Sequence, residues 1–506
     1  MNIRHFILIA IIAAFSAVTT AQNDDKATYL DEYFAGAVKD YNMPSLSVGI
    51  VKDGEVVFMK SYGHLKIGED KLADEHSIYG IASLSKAFTT ACLGMLVDEG
   101  KLKWTDKVVD HLPYFELYDK DVSNRMTILD ICSHRAGLAT FDGDLLWYAT
   151  DYSREEIVRR IRHLPLKQEF RADYGYQNIM FITAGEVIKA VSGMSWDQFV
   201  QERIFKPLDM DRSYTSFDDI DLKDNMTQPH LKGEPIFHLN YDNSGAAAAI
   251  HSNVDDLTKW IKLWLNDGVV GKKTLLSSST IKEIHSQQTV LNVSDFDKIN
   301  GVHFKGYGLG WFLLDYNGQK LIRHGGGLPG YISQLSLVPE ENLGMIILTN
   351  DMTSLPTALM YKIIDVYTQD EYPKRDWATE YLGYGKNYEG ILESRRMERH
   401  DRKVSGTVIS HKLAAYVGDY EDKMYGPAKI ELKDGMLWFE MTPSKELFSA
   451  YLNHWHYETF QFEFKDPFLP EGFVTFESDS DGNISGFTVD LPNDDFHFFN
   501  LHFEKK

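Results

Sequence analysis

The 506-residue sequence has little of three things that would each assign it to a class of protein. It has two cysteines, Cys92 and Cys132, in no zinc or disulfide-framework spacing. Both lie in apolar helical patterns, so we favour two buried free thiols over a disulfide. Past Val18 no apolar run reaches the roughly 20 residues that a membrane-spanning helix needs. The chain is also poor in basic residues, with 52 Lys and Arg against 74 Asp and Glu.

The acidic balance limits the partners that the chain can attract by charge. The formal net charge is −22 and no basic stripe offsets it. Such a chain repels nucleic acid and anionic membrane surfaces, so we expect neither as a partner. His454 and His456 alternate on a predicted strand without a third ligand nearby, so we expect no metal, and no other cofactor. The sequence is compatible with a homo-oligomer.

Residues 1–21 have the pattern of a secretion signal. A basic "MNIRH" precedes the apolar "FILIAIIAAFSAV", and the polar "QNDDK" follows. We expect cleavage after Ala21, which removes Arg4 and changes the net charge from −22 to −23. Residue 22 is Gln rather than a lipid-modified Cys. The sequence therefore predicts a periplasmic or secreted protein without stable membrane insertion, with an uncleaved anchor helix as the alternative.

The mature chain is too long for one core, and its 13% aromatic and 43% hydrophobic content argues against disorder. We divide it into a first domain (22–360), a charged helical connector (361–410) and a C-terminal domain (411–506). The C-terminal domain has short β runs, aromatic alternation and Asp-Gly turns, which predict a small antiparallel barrel.

The first domain begins and ends with strand patterns. "SLSVGIVKDGEVVFMKSYG" predicts a hairpin with an Asp53-Gly54 turn, and Asn317-Gly318 predicts another. Residues 101–290 are mainly helical in pattern. We therefore predict an α+β fold in which both ends of the domain build one antiparallel sheet around a helical subdomain.

Two Ser-x-x-Lys tetrapeptides occur, and spacing alone cannot separate them. Ser279 and Lys282 lie in "LLSSSTIKEIH", which is typical of a capped surface helix. Ser83 and Lys86 lie in "IASLSKAFTT", at the start of a helical pattern that ends near Gly100. Unpaired N–H groups and the helix dipole at such a start favour developing negative charge, which suits a nucleophile.

Ser83 also has potential partners further along the chain. They are Tyr176 and Asn178 in "YGYQN", and His324, Gly325, Gly326 and Gly327 in "RHGGG" on a predicted strand. In this order, the motifs resemble those of the serine β-lactamase and penicillin-binding-protein superfamily, in particular its class C-like esterases and D-aminopeptidases. "SHRAGL", "FKPLDM" and "YGLGW" strengthen the resemblance, which covers residues 27–355. No "G-x-S-x-G" elbow of an α/β-hydrolase is present.

The residue types suit acyl transfer. A serine hydroxyl needs a neighbouring base, and Lys86 can serve if burial lowers its pKa. The resemblance implies that Tyr176 relays a proton to the leaving group. It also implies an oxyanion hole formed by the backbone N–H groups of Ser83 and Gly327. Asn178 can hold the lysine and donate to a substrate carbonyl. Lys86 is our first choice of base, with Tyr176 as the alternative.

The triplet His324-Gly325-Gly326 departs from the superfamily's commonest pattern. Penicillin-active members usually carry Lys, then Thr or Ser, then Gly there, and the first two bind a substrate carboxylate. Here we expect a titratable imidazole in place of the fixed charge, and the hydroxyl is missing. The substitution favours ester or peptide substrates over β-lactams.

The sequence thus predicts an exported serine hydrolase that forms an acyl-enzyme on Ser83 and acts as a peptidase, esterase or amidase on a small-molecule or peptide substrate. The alternatives are a penicillin-binding sensor or scavenger that is acylated with little turnover, a true β-lactamase, and a pseudoenzyme that only binds. The C-terminal segment resembles the lipocalin-like domains behind some class C-like peptidases, and we expect it either to limit access to the site or to mediate assembly.

Overall fold

The computed structural model describes residues 25–506, so the predicted signal sequence and its cleavage site lie outside the described residues. The helices are α1 (25–40), α2 (Ser85–Asp98), α3 (Val108–His111), α4 (Lys120–Arg125), α5 (Ile128–Cys132), α6 (Arg154–Arg160), α7 (Asn178–Ser192), α8 (Trp196–Val200), α9 (Val254–Leu265), α10 (Ser278–Ile284), α11 (Asp295–Ile299), α12 (Leu355–Thr368) and α13 (Trp377–Asp401).

The first domain is built on one antiparallel sheet of eight strands. The strands before residue 350 are β1 (Ser45–Lys52), β2 (Glu55–Gly63), β3 (Tyr79–Gly80), β4 (His230–Leu231), β5 (Glu234–Pro235), β6 (His251–Ser252), β7 (Val269–Val270), β8 (Lys273–Thr274), β9 (Thr289–Val290), β10 (Lys305–Tyr307), β11 (Phe312–Tyr316), β12 (Gln319–Leu328), β13 (Tyr331–Val338) and β14 (Leu343–Thr349). Their order in the eight-stranded sheet is β2-β1-β14-β13-β12-β11-β10-β9. β3 pairs with β6, β4 with β5 and β7 with β8 in two-stranded ribbons. Because β1 pairs directly with β14, both ends of the domain meet in the sheet, which confirms the predicted α+β fold.

The predicted hairpins form at the predicted turns. Asp53 and Gly54 connect β1 and β2 with φ angles of 54° and 83°. Asn317 and Gly318 connect β11 and β12 with φ angles of 50° and 78°. Positive φ at both central residues gives the turn a twist that matches the strands, and Asn, Asp and Gly tolerate it best.

Helices cover both faces of the sheet. α2 is buried along nearly its whole length, and Phe88 in α2 stacks on Trp260 of α9 with ring centroids 4.0 Å apart. α12 packs against β13 and β14. The expected domain limit at residue 360 falls inside α12, whose residues are almost all buried. α13 then runs largely exposed towards the C-terminal domain.

The C-terminal domain is a closed antiparallel barrel of eight strands, as predicted. Its strands are β15 (Gly418–Asp422), β16 (Gly426–Lys433), β17 (Met436–Met441), β18 (Ser449–His456), β19 (Thr459–Phe462), β20 (Gly472–Ser478), β21 (Ile484–Asp490) and β22 (His502–Lys505). Aromatic rings fill the interior: Phe487 lies 4.8 Å from Phe503 and 4.9 Å from Tyr420, between ring centroids. The interior of the barrel is therefore filled by the barrel's own side chains.

The barrel packs against the helical subdomain. Tyr148 stacks on Phe496 with centroids 3.9 Å apart, and its hydroxyl donates to Asp466 at 2.7 Å. Nearby, the buried carboxylate of Asp142 contacts His497 at 3.0 Å. These contacts fix the barrel against the segment that follows residue 140.

Two further expectations concern membrane-spanning helices and the two cysteines. Within residues 25–506 no helix is long and apolar enough to span a bilayer. Cys92 and Cys132 are both buried free thiols, which confirms the favoured interpretation. Burial raises the pKa of each thiol.

Candidate active site

Ser83 lies in a single 3-10 turn, Ala82–Leu84, directly before α2, as the helical pattern predicts. The turn is strained, because Ala82 has a φ of 52° in the left-handed region that residues with a Cβ rarely adopt. The Ser83 side chain is only partly buried, although its neighbours in the turn are fully buried. The turn therefore presents the hydroxyl at the surface of a rigid core.

Lys86, in the first turn of α2, is fully buried and reaches three oxygen atoms. Its Nζ lies 3.0 Å from Oγ of Ser83, 2.6 Å from Oδ1 of Asn178 and 3.0 Å from the carbonyl oxygen of Ala247. The two carbonyl oxygens can only accept hydrogen bonds. A neutral amine would donate its two N–H groups to them, which leaves its lone pair directed at Ser83. The geometry therefore suits proton transfer from the serine.

The protonation state of Lys86 is set mainly by burial. Removal from water disfavours the ammonium form and lowers the pKa of Lys86 to about 7, while the nearby Asp144 partly opposes the shift. A lysine with such a pKa has a substantial neutral fraction near neutral pH. It can then accept a proton, which an ordinary surface lysine rarely does.

Asp144 is a buried carboxyl that the sequence analysis did not single out. It accepts a hydrogen bond of 2.6 Å from Nδ2 of Asn178, and this bond turns Oδ1 of Asn178 towards Lys86. Burial raises the pKa of Asp144, while the hydrogen bond from Asn178 and the charge of Lys86 oppose the shift. No motif or spacing in the sequence identifies Asp144 as a site residue, because only the folded chain brings it close to Asn178 in α7.

Tyr176 lies beside the nucleophile as a neutral phenol. Burial raises the pKa of Tyr176 well above the ordinary value. The Lys86 Nζ lies 4.8 Å from the centroid of its ring. On the other side, the ring of His134 lies 4.3 Å away, and Nδ1 of His134 accepts the N–H of Gln177 at 3.0 Å. His134, missed as a site residue although it lies in the quoted "SHRAGL", thus helps to position the Tyr176 segment.

The glycines predicted at the site lie on β12, next to the nucleophile turn. A Cβ on Gly326 would come within 2.3 Å of the carbonyl oxygen of Ile81 and of Oγ of Ser333, so only glycine fits there. Ser333 in turn donates to that Ile81 carbonyl at 2.8 Å. Close contact at Gly326 therefore brings β12 against the turn that carries Ser83.

The same part of β12 has one unpaired edge. β11 pairs with β12 only as far as Arg323, so residues 324–328 bond to β13 alone. Gly325 and Gly327 on this segment are exposed. An extended substrate backbone can form strand-like hydrogen bonds with such an edge.

His324 does not provide the titratable charge that the sequence led us to expect. Its side chain is 1% exposed, with Nε2 at 3.0 Å from the hydroxyl of Tyr307 and Nδ1 at 2.6 Å from the carbonyl oxygen of Gly325. Burial, with a smaller contribution from Lys86, lowers the pKa of His324 to about 3. That expectation was wrong, because the imidazole is packed among aromatic rings and stays neutral.

A cavity of about 1170 Å³ connects these groups, with Ser83, Tyr176 and His324 in its wall. Part of the wall comes from the barrel, through Phe468, Asp495 and Phe496. The site is therefore built by both domains. In the described part of the chain, no group of three or more His, Cys, Asp or Glu side chains could hold a metal ion.

The second Ser-x-x-Lys pair lies outside this cavity. Ser279 and Lys282 are exposed on α10. The N-cap of that helix is Ser277, which accepts the N–H of Thr280 at 3.2 Å, and Ser279 bonds to Ser277. These residues form the capping cluster that the sequence indicated.

Comparison with known proteins gives two matches to family models. Residues 30–365 match the family model described as Beta-lactamase. Residues 402–505, which contain the barrel, match a domain of unknown function, DUF3471.

Relatives of the chain include hydrolases. The unguisins hydrolase of Aspergillus campestris is 31% identical over 384 residues, which are 71% of this chain and 69% of that protein. Protein flp of Staphylococcus aureus is 26% identical over 339 residues, 65% of this chain and 64% of that protein. The structure of the octameric penicillin-binding protein homologue from Pyrococcus abyssi has the same fold, with a TM-score of 0.60 at 18% identity over 94% of this chain and 99% of that one.

Proposed function

Because the chain belongs to the β-lactamase family of serine β-lactamases and penicillin-binding proteins, we propose that it is a serine hydrolase that forms an acyl-enzyme on Ser83. Its substrates are amides, peptides or esters in preference to β-lactams. The observation that carries the proposal is the 3.0 Å contact between the buried Lys86 amine and the Ser83 hydroxyl.

In acylation, Oγ of Ser83 attacks the substrate carbonyl carbon while its proton passes to Nζ of Lys86. The pKa of Lys86, lowered to about 7, supports its role as the base. The ammonium that forms donates to the oxygens of Asn178, Ala247 and Ser83. A buried charge is tolerable there because each N–H has a partner.

Tyr176 delivers a proton to the leaving group as the tetrahedral intermediate collapses. Its raised pKa supports this role, since a neutral phenol can donate whereas a phenolate could not. The Lys86 Nζ lies 4.8 Å from the centroid of the Tyr176 ring, so the proton taken by Lys86 can return to the phenol and from there to the next leaving group. Water then repeats the attack on the ester and releases the acid.

The oxyanion of the intermediate is held by the backbone N–H groups of Ser83 and Gly327. The close contact of Gly326 with the nucleophile turn supports this assignment, because it fixes β12 next to Ser83. Fixed N–H donors stabilise a developing oxyanion without reorganising.

The neutral His324 supports the preference against β-lactams. Penicillin-active relatives use a lysine and a hydroxyl at this place to bind a carboxylate. His324 offers no charge, since its ring is buried, and Gly325 offers no hydroxyl.

We further propose that the protein acts in the periplasm or outside the cell. Residues 1–21 support this, since a basic start and an apolar run precede a polar segment. The N-terminal residue of the mature protein tests it. We expect Gln22, whereas a retained Met1 would contradict cleavage.

The substrate preference is tested by measuring kcat/KM for p-nitrophenyl esters, D-amino-acid amides and the β-lactam nitrocefin. We expect turnover of an ester or amide and little or none of nitrocefin. Comparing the first burst of product with the steady rate separates a hydrolase from an acylated scavenger, which would give a burst without turnover. Rapid steady hydrolysis of nitrocefin alone would overturn the proposed preference.

A further inference from the structure

The barrel contributes side chains to the active-site cavity as well as packing beside it. Phe468, Asp495 and Phe496 all lie in the cavity wall. Phe496 is 4% exposed and held between Tyr148, at 3.9 Å, and Trp147, at 5.9 Å, between ring centroids. Phe496 is therefore a packed part of the cavity wall, and the barrel supplies it.

Asp495 is the acidic residue of this wall. Its side chain is half-buried, and its carboxylate accepts no hydrogen bond from any residue in the described chain. The charged groups that act on it are Asp494 and His497, and burial raises its pKa. A partly buried carboxylate without a partner is unfavourable, and a cation that arrived with the substrate would relieve that cost.

Asp495 and Ser83 lie in the wall of the same cavity. The charge of Asp495 also acts on Asp144, which accepts a hydrogen bond from Asn178, the partner of Lys86. A substrate that is bound on Ser83 and fills this cavity would therefore meet Asp495. The rings of Phe468 and Phe496, 6.2 Å apart between centroids, give the same wall an apolar surface.

We propose that Asp495 and Phe496 form a subsite that binds a protonated amine of the substrate beside an apolar group. The ammonium would bond to the carboxylate and lie against the aromatic wall, both of which favour a cation. The assignment rests on the proposed acylation of Ser83. It makes the barrel a specificity element for substrates with a free amine.

The test compares matched substrates in the full-length protein. The p-nitroanilides of D-alanine and L-alanine carry a free α-amine, and their N-acetyl derivatives do not. Nα-acetyl-lysine p-nitroanilide places the amine on a side chain instead, so it distinguishes an N-terminal amine from a lysine. We expect the wild type to prefer at least one free amine over its neutral counterpart.

In Asp495→Asn, kcat/KM for that amine substrate should fall by about 10- to 100-fold, the loss expected for one charge-assisted bond. The fall should be clearly larger for the amine substrate than for its neutral derivative, so that the preference for the amine is lost. Asp494→Asn is the matched control, since it removes the same charge from the exposed neighbouring residue. Equal losses on both substrates, an unchanged preference, or the same loss in Asp494→Asn would overturn the subsite.

A separate readout distinguishes this proposal from the acyl-enzyme itself. Hydrolysis of p-nitrophenyl acetate, which has no amine, measures the acyl-enzyme reaction alone and should be the same in the wild type and in Asp494→Asn. If the wild type does not hydrolyse any ester or anilide, the proposed function fails. If it hydrolyses neutral substrates without any preference for an amine, only the subsite is wrong.

Discussion

The chain contains the tetrapeptide Ser-x-x-Lys twice, and the two copies lie in opposite surroundings. At Ser83 and Lys86, the lysine is fully buried, bonds to three oxygens and has a pKa lowered to about 7. At Ser279 and Lys282, both side chains are exposed on a surface helix. The same spacing thus gives a nucleophile with a base in one place and part of a helix cap in the other.

The difference between the two pairs comes from their neighbours. Lys86 becomes a base because α7 brings Asn178, and the segment before α9 brings the Ala247 carbonyl, to an amine that is buried in the core. Two donors of the amine are then occupied, and its lone pair points at the serine. No surface lysine has this arrangement, since solvent stabilises its charged form. Substitutions at the two pairs test this comparison directly.

The largest effect is expected for Ser83→Ala. Removal of the nucleophile should lower ester or amide hydrolysis on the order of 10³-fold or more. The fold should persist, since the Ser83 side chain caps no helix. The rate of hydrolysis of p-nitrophenyl esters measures the loss of activity, and a thermal melt measures whether the fold persists. Ser279→Ala is the control and should keep the full rate; equal losses in the two variants would contradict the assignment.

Lys86→Met should lower the acylation rate by about 10²-fold, as loss of a general base does. Lys86→Arg should be almost as harmful, because a guanidinium does not release its proton at neutral pH. Lys282→Met is the matched control and should leave acylation unchanged. Stopped-flow measurement of the burst rate checks all three. An active Lys86→Arg variant would show that only the charge matters and would make Tyr176 the base.

The pH profile gives a smaller and more specific effect. Neutral Lys86 is the active form, so kcat/KM should rise with pH through about 7. The Asp144 charge raises the pKa of Lys86, so Asp144→Asn should move this rise to lower pH. A profile measured from pH 5 to 9 checks the shift. A rise that moved to higher pH would contradict the proposed interaction.

The smallest effect concerns the second pair. Ser277→Ala removes the cap of α10 and should cost about 1 kcal/mol of stability. Ser279→Ala should cost much less, and neither should alter hydrolysis. Denaturant unfolding beside an ester assay checks this. A loss of activity in Ser277→Ala at full stability would mean that the α10 cluster has a functional role that the structure does not indicate.

Local sequence signals predicted much of the fold and part of the site. The Asp53-Gly54 and Asn317-Gly318 turns form as predicted, since turn chemistry depends on the few residues present. The position of Ser83 before a helix followed from the pattern of α2. The barrel followed in the same way from alternating aromatic residues and turns.

The remaining part of the site depends on contacts between distant segments. The carbonyl of Ala247 reaches Lys86, and Asp144 reaches Asn178, only through the tertiary fold, and neither has a recognisable spacing. Asp495 reaches the cavity from the other domain. His324 was predicted at the site but with the wrong charge state, because the sequence does not show that aromatic rings would bury it. Burial decides these charge states, and it is a property of the whole fold.

The central claim is that Ser83 becomes covalently acylated because Lys86 is a buried neutral base. Its most direct test is reaction with a fluorophosphonate probe, followed by peptide mass mapping of the wild type and the variants Ser83→Ala, Lys86→Met and Ser279→Ala. We predict one adduct, on the peptide that contains Ser83. It should be absent in Ser83→Ala, strongly slowed in Lys86→Met and unchanged in Ser279→Ala. An adduct that persists in Ser83→Ala, or that maps to Ser279, would contradict the account.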